Sequence, residues 1–324
     1  MIMQNPNNNP AKTGAVVTLT DADLDQYLKN IDVLSIMEKT FAAFAKGQVV
    51  QPSQTLTLFP EDRGDFITYQ GALSHFNVFG AKLSPYIPTA GAPIITAWTM
   101  LMSMETGLPL LLCDSGRLTR ERTAATTALA VKKLAPAESK ILTIIGTGAI
   151  GKAHLMHTLK LRDWQEIRLY SLDLVRDTEK QQAFKAIDSR IVVCDSAKAA
   201  VHLSDVVMLC TSSGKPVIDV NDIGKQALIT SISTNVAQAH EIDPKALNSM
   251  HVYCDYKATT PASAGEMVLA ARDHGWSAGK IVGDLTDLCS PSPIKPAYDK
   301  SIFFRSIGLG IEDIAIAYAI YSQF

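Results

Sequence analysis

Apolar and polar positions follow three different rhythms along this chain. Between residues 16 and 113 short apolar runs crowd together, at 16–19, 51–59, 65–69, 80–86, 94–104 and 110–113. Polar turns such as Pro60-Glu61-Asp62-Arg63-Gly64-Asp65 and Glu105-Thr106-Gly107-Leu108-Pro109 divide them. Short strands spaced this closely predict a mostly antiparallel sheet. Two helices interrupt them. Thr20 or Asp21 caps one that runs to about residue 28, and residues 31–47 carry Val33, Ile36, Met37, Phe41 and Phe44 at helical spacing. A further helix, capped by Thr119, is predicted over 119–130. From residue 141 the rhythm changes. Strand-like runs at 141–145, 167–171, 191–194, 206–211, 227–234, 251–255 and 280–283 alternate with helical or polar stretches. That order predicts a doubly wound α/β domain with a mainly parallel sheet. The end of the chain differs again: 302–307 reads as a strand, and 308–324 opens an apolar helix too hydrophobic to stand in water. That helix is expected to return to the first domain or to a dimer interface.

At the start of the alternating part lies Ile-Leu-Thr-Ile-Ile-Gly-Thr-Gly-Ala-Ile-Gly, residues 141–151. A β-branched run ends in Gly146-x-Gly148-x-x-Gly151, and a helical pattern follows at once. Strand, glycine turn and helix in this order form the dinucleotide-binding context. Gly146 permits the tight turn, Gly148 lets the backbone approach a pyrophosphate, and Gly151 lets the helix pack on the strand. The helix N-terminus offers unpaired N–H groups to the phosphates. Thr147, Ala149 and Ile150 complete the expected contact set. At the end of the second strand of this part, Ser171 is small enough for a 2′-phosphate with Arg176 in reach, whereas Asp173 suits a ribose hydroxyl. NADPH and NADH therefore both stay open. An ordinary βα turn is the alternative to the whole reading.

Composition narrows the class. The 324 residues suggest two domains, and 47% of them are hydrophobic. A net charge of −2 without a basic block argues against nucleic acid or an anionic membrane as partner. Cys113, Cys194, Cys210, Cys254 and Cys289 form no CxxC pair and read as free thiols of a reducing compartment. No apolar run approaches the roughly 18–20 residues that span a bilayer. Neither a signal peptide nor a metal is expected, and the location expected is cytoplasmic. His154 and His157 lack accompanying carboxylates or cysteines, and Asp284 and Asp287 read as loop or capping residues.

Three segments together resemble the ornithine cyclodeaminase/μ-crystallin family. They are Gly107-Leu108-Pro109 through Leu118-Thr119-Arg120-Glu121-Arg122-Thr123-Ala124-Ala125, the glycine turn, and Phe304-Arg305-Ser306-Ile307-Gly308-Leu309-Gly310-Ile311-Glu312-Asp313. The resemblance implies a Rossmann-type doubly wound domain plus an α+β substrate and dimerisation domain built from both chain ends, paired as a homodimer. Residues 1–13 are then a disordered tail, 14–120 with 302–324 the substrate domain, and 121–301 the dinucleotide-binding domain. The resemblance also implies NAD(P)-linked interconversion of amino and imino acids. Arg122 matches the family arginine that grips the substrate carboxylate, Lys82 matches the family's active-site lysine, expected to be catalytic and to share in holding that carboxylate, and Thr211, Ser212 and Ser213 match a segment near the nicotinamide ribose. Arg122 is also expected in the first turn of its helix, where the dipole favours an anion.

Two positions depart from the family pattern. Gln54 stands where an arginine is usual, which weakens one carboxylate contact. Asn235 stands where cyclodeaminases and alanine dehydrogenases carry a catalytic aspartate. Asparagine takes up no proton at neutral pH, and oxidative deamination needs a base. Reducing a preformed C=N bond needs less, and Asn235 still orients the nitrogen side. His240 is an alternative base. The sequence therefore points to NAD(P)H-dependent reduction of a small cyclic imino acid. Δ1-pyrroline-2-carboxylate is the first candidate and Δ1-piperideine-2-carboxylate the second. An ornithine or lysine cyclodeaminase, another amino-acid or opine dehydrogenase, and a crystallin-like NADPH-binding protein are the alternatives.

Overall fold

A computed structural model describes residues 15–233 and 238–324. The tail expected at 1–13 and Asn235 lie outside the described residues. The chain forms two compact units: Met1–Arg122 with Gly308–Phe324, and Thr123–Ile307.

In the first unit, strands β1 (Val17–Leu19), β2 (Val49–Val50), β3 (Thr55–Leu58), β4 (Asp65–Leu73), β5 (Val78–Ile87), β6 (Ile94–Ile95), β7 (Trp98–Ser103) and β8 (Pro109–Asp114) build one sheet. Its order is β1-β8-β7-β5-β4-β2, with β3 on β4 and β6 on β5. Among the described pairs of this sheet only β1–β8 is parallel. Helices α1 (Asp21–Leu28), α2 (Val33–Ala45) and the first residues of α3 (Gly116–Leu134) belong to this unit, as does the C-terminal α7 (Gly310–Tyr321). Helix α7 packs on β4, β5, β7 and β8 and against α2, which buries its apolar length as its composition demands. The opposite sheet face stays open and apolar: Phe79, Leu83, Trp98 and Met100 are all exposed.

Helix α3 starts a turn earlier than its expected cap, Thr119. Asp114 Oδ1 accepts from the Gly116 N–H (2.9 Å), and the Ser115 carbonyl takes the Thr119 N–H (2.8 Å). The earlier start moves Arg122 out of the first turn, so the helix dipole no longer explains an anion there.

The second unit holds β9 (Ile141–Ile145), β10 (Glu166–Tyr170), β11 (Ile191–Val193), β12 (Val206–Leu209), β13 (Leu228–Ser231), β14 (His251–Cys254), β15 (Ile281–Asp284) and β16 (Ile302–Arg305). The order is β11-β10-β9-β12-β13-β16-β14-β15, parallel throughout the described pairs. β12 and β13 are buried end to end and β9 from Leu142 on, as a sheet covered on both faces requires. Helices α4 (Ala149–Thr158), α5 (Thr178–Lys185) and α6 (Gly265–Asp273) belong to this unit. The run 302–307, expected with the chain ends, instead enters this sheet between β13 and β14. Its strand character is local, but its pairing is not.

Candidate active site

The glycine turn follows β9 where the strand order reverses, since β9 pairs with both β10 and β12. Ligands of open α/β sheets bind at such a switch point. Gly146 has φ +98°, and a Cβ there would sit 2.5 Å from the Cys210 carbonyl oxygen. A Cβ on Gly151 would meet the Gly146 carbonyl oxygen at 2.0 Å, so helix and turn touch through backbone alone. Gly148 is the N-cap residue of α4, and a Cβ on it would meet nothing within 4 Å. The backbone is closed behind the turn and open in front of it, which suits a pyrophosphate against the helix N-terminus.

A cavity of about 820 Å³ opens there. Gly146, Thr147, Gly148, Ile150, Ser171, Asp173, Thr211, Ser212 and Ser213, all expected contacts, line it. Ala149 lines a neighbouring cavity of about 290 Å³, which shares Thr147 and Gly148 with the first. Gly151 and Arg176 line neither; Gly151 is buried in the helix packing and Arg176 is exposed. The size, the glycine turn and the helix end fit a nicotinamide dinucleotide.

Behind the cavity lies a cluster that sequence reasoning missed. Glu241 Oε1 accepts from the Thr211 N–H (2.8 Å) and hydroxyl (2.7 Å), and Oε2 accepts from the Ser233 N–H (3.0 Å). Thr211 and Ser233 both line the cavity, so one fully buried side chain ties two of its walls together. The Ser231 hydroxyl lies 2.7 Å from Glu241 Oε2 and 3.1 Å from Glu266 Oε1. Glu266 Oε1 also accepts from the Glu241 N–H at 3.0 Å, so the two carboxyls are joined through Ser231 and the Glu241 backbone. Burial pushes the Glu241 carboxyl up, against the hydrogen bonds from Ser231, Thr211 and Ser233 that favour its ionised form. Glu266, on α6, accepts from Arg305 Nε at 3.0 Å.

In the first unit, Lys82 and Arg122 come together on one acidic residue. Lys82 Nζ reaches Asp313 Oδ1 at 3.1 Å, and Arg122 Nε reaches the same oxygen at 3.2 Å. Arg122 Nη1 donates to Glu312 Oε2 (2.9 Å), and Lys82 also donates to the Thr119 hydroxyl (3.2 Å). All four charged groups are almost fully buried. Lys82 Nζ lies 4.1 Å from the centre of the Tyr69 ring, a cation–π contact. Gly308 makes room: its φ is +79°, and a Cβ there would fall 2.1 Å from Arg122 Nη1. Burial, with the neighbouring Arg122 charge, lowers Lys82 to about 8. Arg122 stays charged, because Asp313 and Glu312 outweigh its desolvation. The Glu312-Asp313 pair was visible in the sequence, but nothing local named its partners.

Gln54 precedes β3. Thr55 pairs with Thr68 and Tyr69 with Lys82, so extending the register by a residue places Gln54 in the same cross-strand row. Its buried Oε1 has no hydrogen-bond partner among the described residues. His240 Nδ1 contacts the Gln238 carbonyl oxygen at 2.7 Å. Asp284 caps the short helix after β15, taking the Thr286 and Asp287 N–H groups. His154 is buried on α4, with Nδ1 on the Ile150 carbonyl oxygen.

The family model for ornithine cyclodeaminase/mu-crystallin proteins matches residues 15–324. The chain belongs to that family. An NAD(P)H-dependent anabolic L-arginine dehydrogenase of Pseudomonas aeruginosa is 51% identical over 300 residues, covering 93% of this chain and 95% of that protein. A Δ1-pyrroline-2-carboxylate reductase of Colwellia psychrerythraea is 25% identical over 308 residues, covering 92% and 97%. Among solved structures, the Thermococcus litoralis Δ1-pyrroline-2-carboxylate reductase in complex with NADH and L-proline superposes with a TM-score of 0.85. It is 23% identical, covers 95% of this chain and 97% of that one, and establishes the shared fold. Among the described residues no helix is long and apolar enough to cross a membrane.

Proposed function

We propose that this chain is an NAD(P)H-dependent oxidoreductase that forms an α-amino acid by reducing the C=N bond of the matching imino acid. The observation that carries the reading is the joining of Lys82 and Arg122 on Asp313, which fixes at one point the two cations that the family resemblance assigns to the substrate carboxylate. When bound, the reduced nicotinamide supplies the hydride to the imine carbon. The protein holds the acid through Lys82 and Arg122, and Asn235 accepts a hydrogen bond from the imine nitrogen. With no carboxylate at position 235, the deamination catalysed by cyclodeaminases lacks its base.

For the substrate we propose an open-chain imino acid with a cationic side chain, formed from a 2-oxo acid and ammonia, with L-arginine as the product to test first. The half-identical arginine dehydrogenase supports this choice over the cyclic imino acid favoured by the sequence. Δ1-pyrroline-2-carboxylate remains the second reading, supported by the Colwellia relative. The test is NAD(P)H oxidation with 2-oxo-5-guanidinovalerate plus ammonia, against Δ1-pyrroline-2-carboxylate. Turnover of the first alone supports the open-chain substrate, and turnover of the second alone reverses it. We further propose that two copies pair through the open apolar face of the first unit's sheet, since patches of that kind mark interfaces.

A further inference from the structure

A second ion pair lies at the rim of the nucleotide cavity, and it is built differently from the buried one. The Thr147 hydroxyl donates to Ser171 Oγ (2.5 Å), Ser171 donates to Asp173 Oδ1 (2.6 Å), and Lys180 Nζ donates to Asp173 Oδ2 (2.5 Å). Ser171 and Asp173 follow β10, on the side of the sheet where a bound dinucleotide places its adenosine ribose. Lys180 comes from α5 and lines the neighbouring cavity together with Thr147, Gly148 and Lys152. The chain of hydrogen bonds thus runs from the glycine turn through both cavities. Asp173 is held down to about 2, by Lys180 and then Ser171, so it remains a carboxylate at every working pH. Its side chain is 65% exposed and that of Lys180 26%, so a ligand can open the pair at little cost.

We propose that Asp173 and Lys180 together determine which adenosine ribose the site accepts, and that their pairing is what admits both NADH and NADPH. This inference rests on the nucleotide-binding reading above. A lone carboxylate at this place would accept a hydrogen bond from a 2′-hydroxyl and repel a 2′-phosphate. A lone ammonium would do the reverse. Paired, they form a near-neutral dipole with both functions in reach. Asp173 serves the hydroxyl while Lys180 screens its charge, and Lys180 turns to the phosphate when one is present. Lys180, not Arg176, is therefore the cation assigned to the phosphate, because Arg176 lines neither cavity.

The test is direct binding of NADH and NADPH, by titration calorimetry, to the full chain and to Lys180→Gln and Asp173→Asn. A charge a few ångströms from the phosphate at the surface is worth about tenfold in affinity. Wild type is expected to bind both nucleotides within about tenfold of each other. K180Q is expected to lose about tenfold for NADPH and to hold NADH within about twofold; D173N shifts the ratio the opposite way. Equal losses of both nucleotides in K180Q, or no change in the ratio for either variant, overturns the proposal while leaving the nucleotide site standing. A wild type that binds neither overturns the nucleotide reading itself, and the proposal with it.

Discussion

Lys82 and Arg122 share a single oxygen atom, Asp313 Oδ1, at 3.1 and 3.2 Å. Two cations on two strongly buried elements are tolerable only because that carboxylate and Glu312 accompany them. Asp313→Asn keeps the shape and removes the charge, which leaves the cations in excess. A loss of about 3–5 kcal/mol in urea unfolding is expected, the usual cost of breaking a buried pair from one side.

Arg122→Lys keeps the charge but loses the fork that spans Glu312 and Asp313. Losing a charge-assisted hydrogen bond costs about 1.5–3 kcal/mol. The KM for the acid is therefore expected to rise by one to two orders of magnitude, with the calorimetric affinity for NADPH unchanged. A parallel loss of nucleotide affinity would contradict a role confined to the acid.

Binding of the acid should depend on pH through Lys82, which burial and Arg122 bring down to about 8. Below that value the ammonium is intact and the anion is held. Above it the charge is lost, and affinity for an unreactive acid such as the amino-acid product falls by up to about tenfold per pH unit. Lys82→Met should bind weakly with no break near that pH. Stability moves the other way. The unfolded lysine keeps its proton up to about 10.4, so between about 8 and there the unfolded state holds more protons and stability rises with pH.

How much of this was legible in the sequence depends on how local each constraint is. Gly146 and Gly151 were legible because backbone contacts at 2.5 and 2.0 Å admit no side chain, and that demand is written into six consecutive residues. Lys82 and Arg122 were legible only through motif resemblance, since their common partner lies 231 and 191 residues away. The Glu241–Glu266–Arg305 cluster was not legible at all: its links span 25 and 39 residues, and a glutamate before Ile242-Asp243 looks like a surface residue. For 302–307 the strand was visible but its sheet was not, because a parallel strand carries no mark of its neighbours.

Glu241 offers a separate test, since its carboxyl holds Thr211 and Ser233 in place. Glu241→Gln keeps the shape but sets an amide N–H against the backbone N–H of Thr211 or Ser233, and is expected to lose a few-fold in NADPH affinity, whereas Glu241→Ala leaves both residues without their anchor and loses about tenfold or more. The pH dependence has a definite sign. With the folded pKa raised by burial, the unfolded acid ionises first as pH rises past 4.5, so stability falls above that point until the folded acid also ionises. Urea unfolding at several pH values should show that slope in wild type and not in E241Q.

Met100→Glu places a charge on the open sheet face, beside Trp98 and Leu83. Light scattering is expected to report a dimer for wild type and a monomer for the variant. A dimer in both would move the interface elsewhere.

The central claim is that this chain reduces a C=N bond at the expense of NAD(P)H. The most direct measurement supplies reduced nucleotide carrying deuterium at the transferable position, together with 2-oxo-5-guanidinovalerate and ammonia, and reads the amino acid by mass spectrometry. Deuterium at Cα of arginine, with one oxidised nucleotide formed for each arginine, is the predicted result. If ornithine instead gives proline and ammonia with no net change in the nucleotide, and the oxo acid takes up no deuterium, the chain is a cyclodeaminase and the reading of Asn235 is wrong.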